Sequence, residues 1–439
     1  MAPGMVRVCN VSCVIPKNPG PNRTMYLCDM DQKVGYYVRT LFFYAPETKT
    51  LDVDRLKSSL AEVLDSHDFW GGRLRFNENG RMEIDCSNQG TFFTFATSGL
   101  GMDQVTADDL DDFFSFDDDK IKTLEDLPLL RIQVTHMLGD NGYAISILFH
   151  HALVDATSAI NFLLNLASIN RGDGLYMLPN GDRTRLKFRD PPQVNFEHEE
   201  FSIQTPHNGG VGVFTFTKES VISSELRQKM APKNERKTFL FRFDKLRELK
   251  KAVLDEGPLS ECSTFEALAA LIWRAHARSI PGKSNNDVLH LGFVVDTRNI
   301  LDPPLGENFC GNAFYPAYTE LTLMDICKLP LSSVVAQVQE AKTRVTNEYV
   351  RSGRDFLHLN PNCWYRRCET VINAWPRLMQ KSLELDFGWG KPSRVEFPLD
   401  PRSSVIAFLP FSWDGILVSV SANGIALGIF EDAIAQFYK

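Results

Sequence analysis

A pair of histidines followed by an aspartate is the part of this sequence whose residue types and spacing suggest chemistry. In the stretch SILFHHALVDATSAINFLLNLA (residues 146–167), His150 and His151 are adjacent and Asp155 follows four residues after the second histidine. A histidine near its ordinary pKa of about 6.5 accepts a proton from a hydroxyl or amine as that group attacks a carbonyl. We therefore interpret His151 as a general base, with Asp155 in the turn that aims it.

The elements on either side of this motif predict a strand-to-helix turn. The preceding segment YAISILF (residues 143–149) alternates as a strand does, and ATSAINFLLNLASIN (residues 156–170) has apolar residues at helical spacing. Gly172 then supplies a helix stop. His150 and His151 would therefore sit where the strand ends, and Asp155 would sit just before the helix begins.

Structural interpretations of the same residues stay open. An aspartate directly before a helix is also a common N-cap, and a histidine at a strand end is often only a hydrogen-bonded polar group. A metal site is disfavoured because adjacent strand residues point to opposite faces, so His150 and His151 cannot bind one ion. One histidine should be buried as scaffold while the other faces a cavity.

Composition limits the classes of function. The chain has 439 residues, 44% of them hydrophobic, which is more than one ordinary domain usually holds. Its net charge is −8 without a basic stripe, so we expect no nucleic-acid partner. No apolar run is long enough to span a membrane. Nine irregularly spaced cysteines, without a zinc-binding pattern or an N-terminal apolar leader, indicate a reducing compartment, and we expect a cytoplasmic protein.

Strand and helix patterns alternate along the chain and predict a mixed α/β fold in two halves. A non-periodic stretch rich in Pro, Gly and charge separates the halves, and we place the boundaries at 1–190, 191–215 for the crossover, and 216–439. In the second half, STFEALAALIWRAHARS (residues 263–279) predicts a helix that starts with a capping box of Ser263 and Glu266. LSSVVAQVQEAKTRVTNEYV (residues 331–350) predicts one long helix.

A second motif narrows the function. LELDFGWGKP (residues 383–392) contains DFGWG, five specified residues that rarely occur together by chance. Taken together, HHALVD and DFGWG resemble the BAHD family, the plant acyltransferases that depend on acyl-coenzyme A. The resemblance covers essentially the whole chain and is nearest to the hydroxycinnamoyl and aliphatic-alcohol branches. FVVDTRNILDPPLGENFCGNAF (residues 293–314) is similar to the family's stretch after its buried strand.

The resemblance implies a fold and a reaction. The fold would be two similar chloramphenicol-acetyltransferase-like domains, mixed sheets flanked by helices, with a channel between them. The enzyme would act as a monomer without a metal or tightly bound cofactor. It would transfer a hydroxycinnamoyl or other bulky acyl group from acyl-coenzyme A, its co-substrate, to a hydroxyl or amine of a small molecule. Alternatives are a condensation-like domain that forms amides on a carrier protein, and a non-catalytic interaction protein.

The resemblance also implies roles for particular residues. Asp155 would turn away from the substrate and pair with Arg298, which physical reasoning supports because a buried carboxylate needs a compensating charge. Other roles carried over by position are structural support from DFGWG (Asp386, Gly388, Trp389, Gly390) and substrate contact (Tyr37, Thr40, Trp375), although Trp375 is equally suited to the core. Ser263 and Thr264 would lie near the coenzyme because a helix N-terminus favours phosphate, although capping by Ser263 needs no ligand.

Overall fold

Two six-stranded mixed sheets, each packed against helices, form the framework of the protein. The computed structural model describes residues 6–46, 51–107, 109–114, 123–203, 235–257, 259–375, 380–398, 405–411 and 414–438. The sheet order shows one sheet built mainly from the first half of the chain and one built from the second. The prediction of a mixed α/β fold in two halves is therefore confirmed.

The first sheet carries the His-His motif on a central strand. Its strand order is β1 (Arg7–Val14), β6 (Thr91–Ser98), β7 (Leu130–Met137), β8 (Gly142–His150), β3 (Tyr37–Tyr44) and β15 (Arg394–Glu396). A smaller sheet contains β2 (Arg23–Tyr26), β5 (Met82–Cys86) and β4 (Arg73–Phe76). Helices α1 (Val53–Ser66) and α2 (Ala156–Arg171) share one hydrophobic core with this half. Because β8 has neighbours on both sides, the motif is held at the centre of the sheet.

The second sheet is flanked by most of the helices. Its order is β10 (Glu235–Arg242), β17 (Gly415–Ala422), β16 (Val405–Phe411), β14 (Thr370–Ala374), β11 (Val288–Asp296) and β12 (Phe314–Thr322). The helices are α3 (Phe243–Glu256), α4 (Thr264–Ser279), α5 (Leu323–Lys328), α6 (Leu331–Thr343), α7 (Asn347–Leu359) and α8 (Gly424–Tyr438). The predicted capping box at the start of α4 is present.

Segments outside the first half contact both halves of the chain. Strand β15, late in the chain, pairs antiparallel with β3 at the edge of the first sheet. The described part of the crossover docks on the second half, where β9 (Phe201–Ile203) pairs with β13 (Cys363–Tyr365). Residues 204–215 of the predicted crossover lie outside the described residues. We propose to keep the boundaries at 190 and 216, with β15 assigned to the first domain.

The prediction of one long helix over residues 331–350 is wrong. The first helix ends at Thr343 with Arg344 as its C-cap, and a new helix begins at Asn347. Thr346 causes the restart, because its side chain accepts a hydrogen bond from the backbone N–H of Tyr349 and so acts as an N-cap. Apolar spacing continued across the break, so periodicity alone did not reveal it.

Candidate active site

The turn after β8 fixes both histidines by backbone contacts. The N–H of His151 donates to the carbonyl of Tyr36 (2.7 Å), and the N–H of Leu153 donates to the carbonyl of His150 (3.0 Å). His150 is fully buried with its ring against Tyr37, and burial lowers its pKa to about 3. A histidine that stays neutral across the physiological range suits the scaffold role predicted for His150.

His151 is only half-buried, and its two ring nitrogens have different surroundings. Nδ1 lies 3.1 Å from Oδ1 of Asn312, and the ring packs edge-on to Tyr36 and Phe314. Within the part of the chain that the structure describes, no group hydrogen-bonds to Nε2. Burial lowers the pKa of His151 below its ordinary value, although Asp155 and Asn312 act in the opposite direction. The ring is therefore neutral at pH 7, as a general base must be.

The predicted ion pair between Asp155 and Arg298 is present. Nη2 of Arg298 lies 2.8 Å from Oδ1 of Asp155, and both side chains are buried. Asp155 also accepts from the backbone N–H groups of Ser158 and Ala313, each at 3.0 Å. Asp155 is thus both the N-cap of α2 and an ion-pair partner, so the two interpretations hold together and Arg298 is not solvated.

The charge of Asp155 is stabilised although the group is buried. Burial raises the pKa of Asp155, but Arg298 and the hydrogen bonds outweigh that effect and bring the pKa below its ordinary value. Arg298 makes a further contact of 3.1 Å to Asp296. The carboxylate is therefore held by Arg298 and by α2, and it supports the turn rather than bonding the ring of His151.

Sequence reasoning missed three residues behind His151. Nδ2 of Asn312 donates to Oδ1 of Asp31 and to the carbonyl of His151, each at 2.8 Å. Asp31 in turn pairs with Arg183 at 3.2 Å, and all three side chains are almost completely buried. His151 and Asn312 are 161 positions apart in the chain, and Asn312 and Asp31 are 281 positions apart. No local sequence pattern therefore indicates these contacts.

DFGWG forms a tight loop at the other end of α2. Oδ1 of Asp386 accepts from the N–H groups of Gly388 (2.6 Å) and Gly390 (3.0 Å), whose φ angles are 105° and 108°. Such angles favour glycine because a Cβ would be strained there. Trp389 stacks on Phe387 with ring centroids 5.2 Å apart. Since α2 has 16 residues, the loop lies roughly 24 Å from the turn that carries His151, measured along the helix.

Contacts from α2 hold this loop. Nδ2 of Asn170 donates to the carbonyl of Phe387 at 2.7 Å, and the guanidinium of Arg171 donates to the carbonyl of Asp386. Gly172 ends the helix with φ 95°, as its position predicted. Among the described residues, the DFGWG loop therefore contacts the C-terminal end of α2 and Tyr44 of β3.

The residues predicted to bind substrates are more dispersed. Tyr37 packs on His150, and its hydroxyl donates to the carbonyl of Pro128 at 2.6 Å; the neighbouring Tyr36 is the tyrosine that contacts His151. Thr40 is buried on β3, and Trp375 packs against Phe397.

The predicted coenzyme residues lie at the start of α4. The hydroxyl of Ser263 caps the helix, and the carboxylate of Glu266 accepts from the N–H of Ser263 and from Lys342, so the helix end already has partners. Thr264, the first residue of α4, is half-buried.

In the described ranges, no three or more His, Cys, Asp or Glu side chains gather into a group suited to a metal ion. Among the helices that the structure describes, none combines the length and the apolar character needed to cross a bilayer.

Comparison with known proteins gives the family. A family model described as Transferase family matches residues 4–410. The chain is 26% identical over 430 residues to a fatty alcohol:caffeoyl-CoA acyltransferase of Arabidopsis thaliana, with 95% of each chain covered. It is 28% identical over 406 residues to a shikimate O-hydroxycinnamoyltransferase of Nicotiana tabacum, with 88% of this chain and 89% of the relative covered.

A solved structure shows the same fold. Vinorine synthase superposes with a TM-score of 0.72 at 20% identity, covering 99% of both chains. The family match extends over nearly the whole chain, and both motifs lie within it. This protein therefore belongs to that transferase family, the BAHD acyltransferases, and is an acyltransferase.

Proposed function

We propose that the protein transfers an acyl group from acyl-coenzyme A directly to a hydroxyl group of a small molecule, with His151 as the general base. The observation that carries this proposal is the asymmetry of the His151 ring. Nδ1 is bonded to Asn312, whereas Nε2 has no bonding partner among the described residues and the lowered pKa keeps the ring neutral. Nε2 is therefore the atom available to take a proton.

The reaction balances with His151 alone as proton carrier. Nε2 accepts the proton of the acceptor hydroxyl while its oxygen attacks the thioester carbonyl, and the carbon–sulfur bond then breaks. The imidazolium returns the proton to the departing thiolate, so free coenzyme A and an ester are released. No acyl-enzyme forms, and both substrates must be bound together.

The relatives support a class of substrates. One acts, by its name, on a fatty alcohol and caffeoyl-CoA, and another on shikimate with a hydroxycinnamoyl group. We propose a hydroxycinnamoyl or similarly bulky acyl donor and an aliphatic or other small alcohol as acceptor, with an amine as the less favoured acceptor. His151 belongs to the first half while Asn312 and Phe314 come from the second, which supports a channel between the halves.

The remaining binding roles are also proposals. We place the acceptor near Thr40 and Trp375, and we place the coenzyme near Ser263 and Thr264. For Tyr37 we propose indirect support of the site through His150, on which it packs. Thr264→Ala should raise the KM for acyl-CoA without altering the KM for the acceptor.

One assay tests the function. Thiol release is followed for a panel of acyl-CoA donors, each with alcohols, with amines and without an acceptor. Release that depends on an alcohol, with intersecting initial-rate lines, supports the proposal. Activity only with a carrier-bound acyl group would support the condensation-like alternative, an isolable acyl-enzyme would refute direct transfer, and no activity with any donor would support the interaction protein.

We further propose that the enzyme is a cytoplasmic monomer. All nine cysteines are free thiols, which suits a reducing compartment. Light scattering on a sizing column tests the monomer, for which 49.6 kDa is expected. Fractionation of the source tissue tests the location.

A further inference from the structure

The hydrogen bonds behind His151 form a closed circuit. Starting from Nδ1 of His151, the circuit runs through Asn312, Asp31 and Arg183, and Arg183 donates to the carbonyl of Leu153, two residues beyond His151. Both ends of the circuit therefore attach to the same catalytic turn. Since its three outer side chains are almost completely buried, they hold one another without competition from bulk water.

The circuit decides which way the amide of Asn312 points. An amide nitrogen only donates and an amide oxygen only accepts, while a carboxylate and a carbonyl only accept. The side of Asn312 that faces Asp31 and the carbonyl of His151 must therefore be the nitrogen. The oxygen is left facing Nδ1 of His151, so Nδ1 must carry the hydrogen and Nε2 must carry the lone pair.

Asp31 itself is held in one orientation. Oδ1 receives Asn312, while Oδ2 receives the backbone N–H of Cys28 at 2.8 Å and the guanidinium of Arg183. Without the carboxylate of Asp31, the amide nitrogen of Asn312 would lose its charged hydrogen-bond acceptor. A reversed amide would bond the other tautomer of His151, whose hydrogen sits on Nε2.

We infer that Asp31 is a positioning residue for the transfer reaction, acting through Asn312 to keep His151 in the tautomer whose Nε2 is free to accept a proton. This inference rests on the proposed role of His151 as base. Asp31 does not touch the ring; it fixes the amide that does. The other groups facing the ring are His150, Tyr36, Phe314 and Asp155 with its partner Arg298. The backbone of His151 also hydrogen-bonds its own ring, and because a carbonyl only accepts, this contact adds to the effect of Asn312 on the tautomer.

The chain offers a matched control two residues away. Asp29 is also buried and also pairs with an arginine, Arg81 at 2.7 Å, but it has no contact with Asn312 among the described hydrogen bonds. Asp31→Asn and Asp29→Asn therefore make the same change of charge and shape in the same segment. Only the first reaches the circuit.

The test is nitrogen-15 NMR of protein labelled at histidine, with the His151 signals assigned by their loss in His151→Ala. In the wild type we expect hydrogen on Nδ1; hydrogen on Nε2 would overturn the inference without any further variant. Asp31→Asn should populate the Nε2–H tautomer and lower kcat about 10- to 100-fold, with the KM for acyl-CoA unchanged. Asp29→Asn should change neither the tautomer nor kcat.

The outcomes separate this inference from the proposed function. If Asp31→Asn and Asp29→Asn give the same tautomer and the same kcat, the positioning role is wrong. If His151→Ala keeps its turnover while the wild-type tautomer is the expected one, the base role fails but the geometric assignment stands. If Asp31→Asn does not fold, Asn312→Ser, whose hydroxyl can donate or accept, should lower the fraction of His151 rings with hydrogen on Nδ1, and an unchanged tautomer would overturn the inference.

Discussion

The two ends of α2 are both held by the second half of the chain, but by different kinds of contact. At the start, a buried ion pair between Asp155 and Arg298 lies beneath the turn that carries His151. At the end, Asn170 and Arg171 donate to backbone carbonyls of the DFGWG loop. One end is held by opposite charges, the other by neutral acceptors and glycine geometry.

This difference teaches that the two sequence motifs of the family need not share a role. Charges near His151 act on its proton equilibrium as well as on folding, because they lie within a buried site of low effective dielectric. Backbone contacts roughly 24 Å away along the helix act on folding alone. Variants at the first end should therefore alter chemistry, and variants at the second should alter stability.

The largest effect should come from His151→Ala. Removal of a general base costs about 10²–10⁴ in turnover, which corresponds to roughly 3–5 kcal/mol of barrier. Because the ring packs on Tyr36 and Phe314 and bonds the buried amide of Asn312, its removal should also lower the melting temperature while the protein stays folded. Steady-state kinetics and thermal denaturation check both expectations, and turnover within about twofold of wild type in folded protein would rule out the base role.

The next effect should come from breaking the ion pair at the start of α2. Asp155→Asn keeps an N-cap residue but removes the charge, and Arg298→Met leaves Asp155 uncompensated. Each single change should cost about 3–5 kcal/mol of unfolding free energy and should also lower kcat, while the double variant should cost much less than the sum. Denaturant titration of the four proteins measures the coupling.

A surface pair provides the comparison for this cycle. Arg23 and Asp68 lie 2.7 Å apart, close to the 2.8 Å of the buried pair, but their side chains are 44% and 23% exposed. Their cycle should give a coupling of no more than about 1 kcal/mol. Equal couplings for the two pairs, or additive effects of Asp155→Asn and Arg298→Met, would show that the buried pair does not have the role described.

A smaller effect is expected at the far end of α2. Gly388→Ala places a Cβ at φ 105°, 3.4 Å from Cγ of Arg171, so the cost comes from the backbone and should be about 1–2 kcal/mol of unfolding free energy. The kcat of the folded enzyme should not change. Gly428→Ala on α8, where a Cβ meets nothing within 4 Å, should instead be stabilising. A tenfold loss of kcat in folded Gly388→Ala would show that DFGWG takes part in chemistry.

The smallest effect concerns pH. Because the pKa of His151 is lowered below 6.5, more than half of the rings are neutral at pH 6.5. The rate at pH 6.5 should therefore exceed half of its plateau value, and it should reach half only at a lower pH. Asp155→Asn removes a charge that favours the imidazolium, so the acid limb should move to still lower pH, whereas Gly388→Ala should leave it in place. A pH profile of kcat/KM checks all three.

Sequence patterns predicted the local features of the site and the ion pair beneath it. The turn at His151, the N-cap at Asp155 and the stop at Gly172 follow from spacing within some twenty residues. The pairing of Asp155 with Arg298 was predicted from the family resemblance, which identified the arginine; physical reasoning alone required only that a buried carboxylate have some cation. Thr346 carried a capping signal that the continuous apolar spacing concealed.

Contacts between neutral or distant groups were not predictable in the same way. Asn312 is uncharged, so no charge argument indicates it. Its role depends on contacts among three segments that are far apart in the chain. The choice between Tyr36 and Tyr37 depends on strand register. In the structure Tyr37 pairs with His150, which leaves Tyr36 for His151. Neither strand register nor long-range side-chain contacts can be predicted from hydrophobic periodicity.

The pairing of β15 with β3 has a consequence for the order in which the protein is made. During translation, the first 190 residues emerge while the segment at Arg394–Glu396 has not yet been synthesised. Until it arrives, β3 remains an open sheet edge able to pair with other chains. We therefore expect the nascent first half to be prone to aggregation through this edge until residue 396 has been synthesised and has docked.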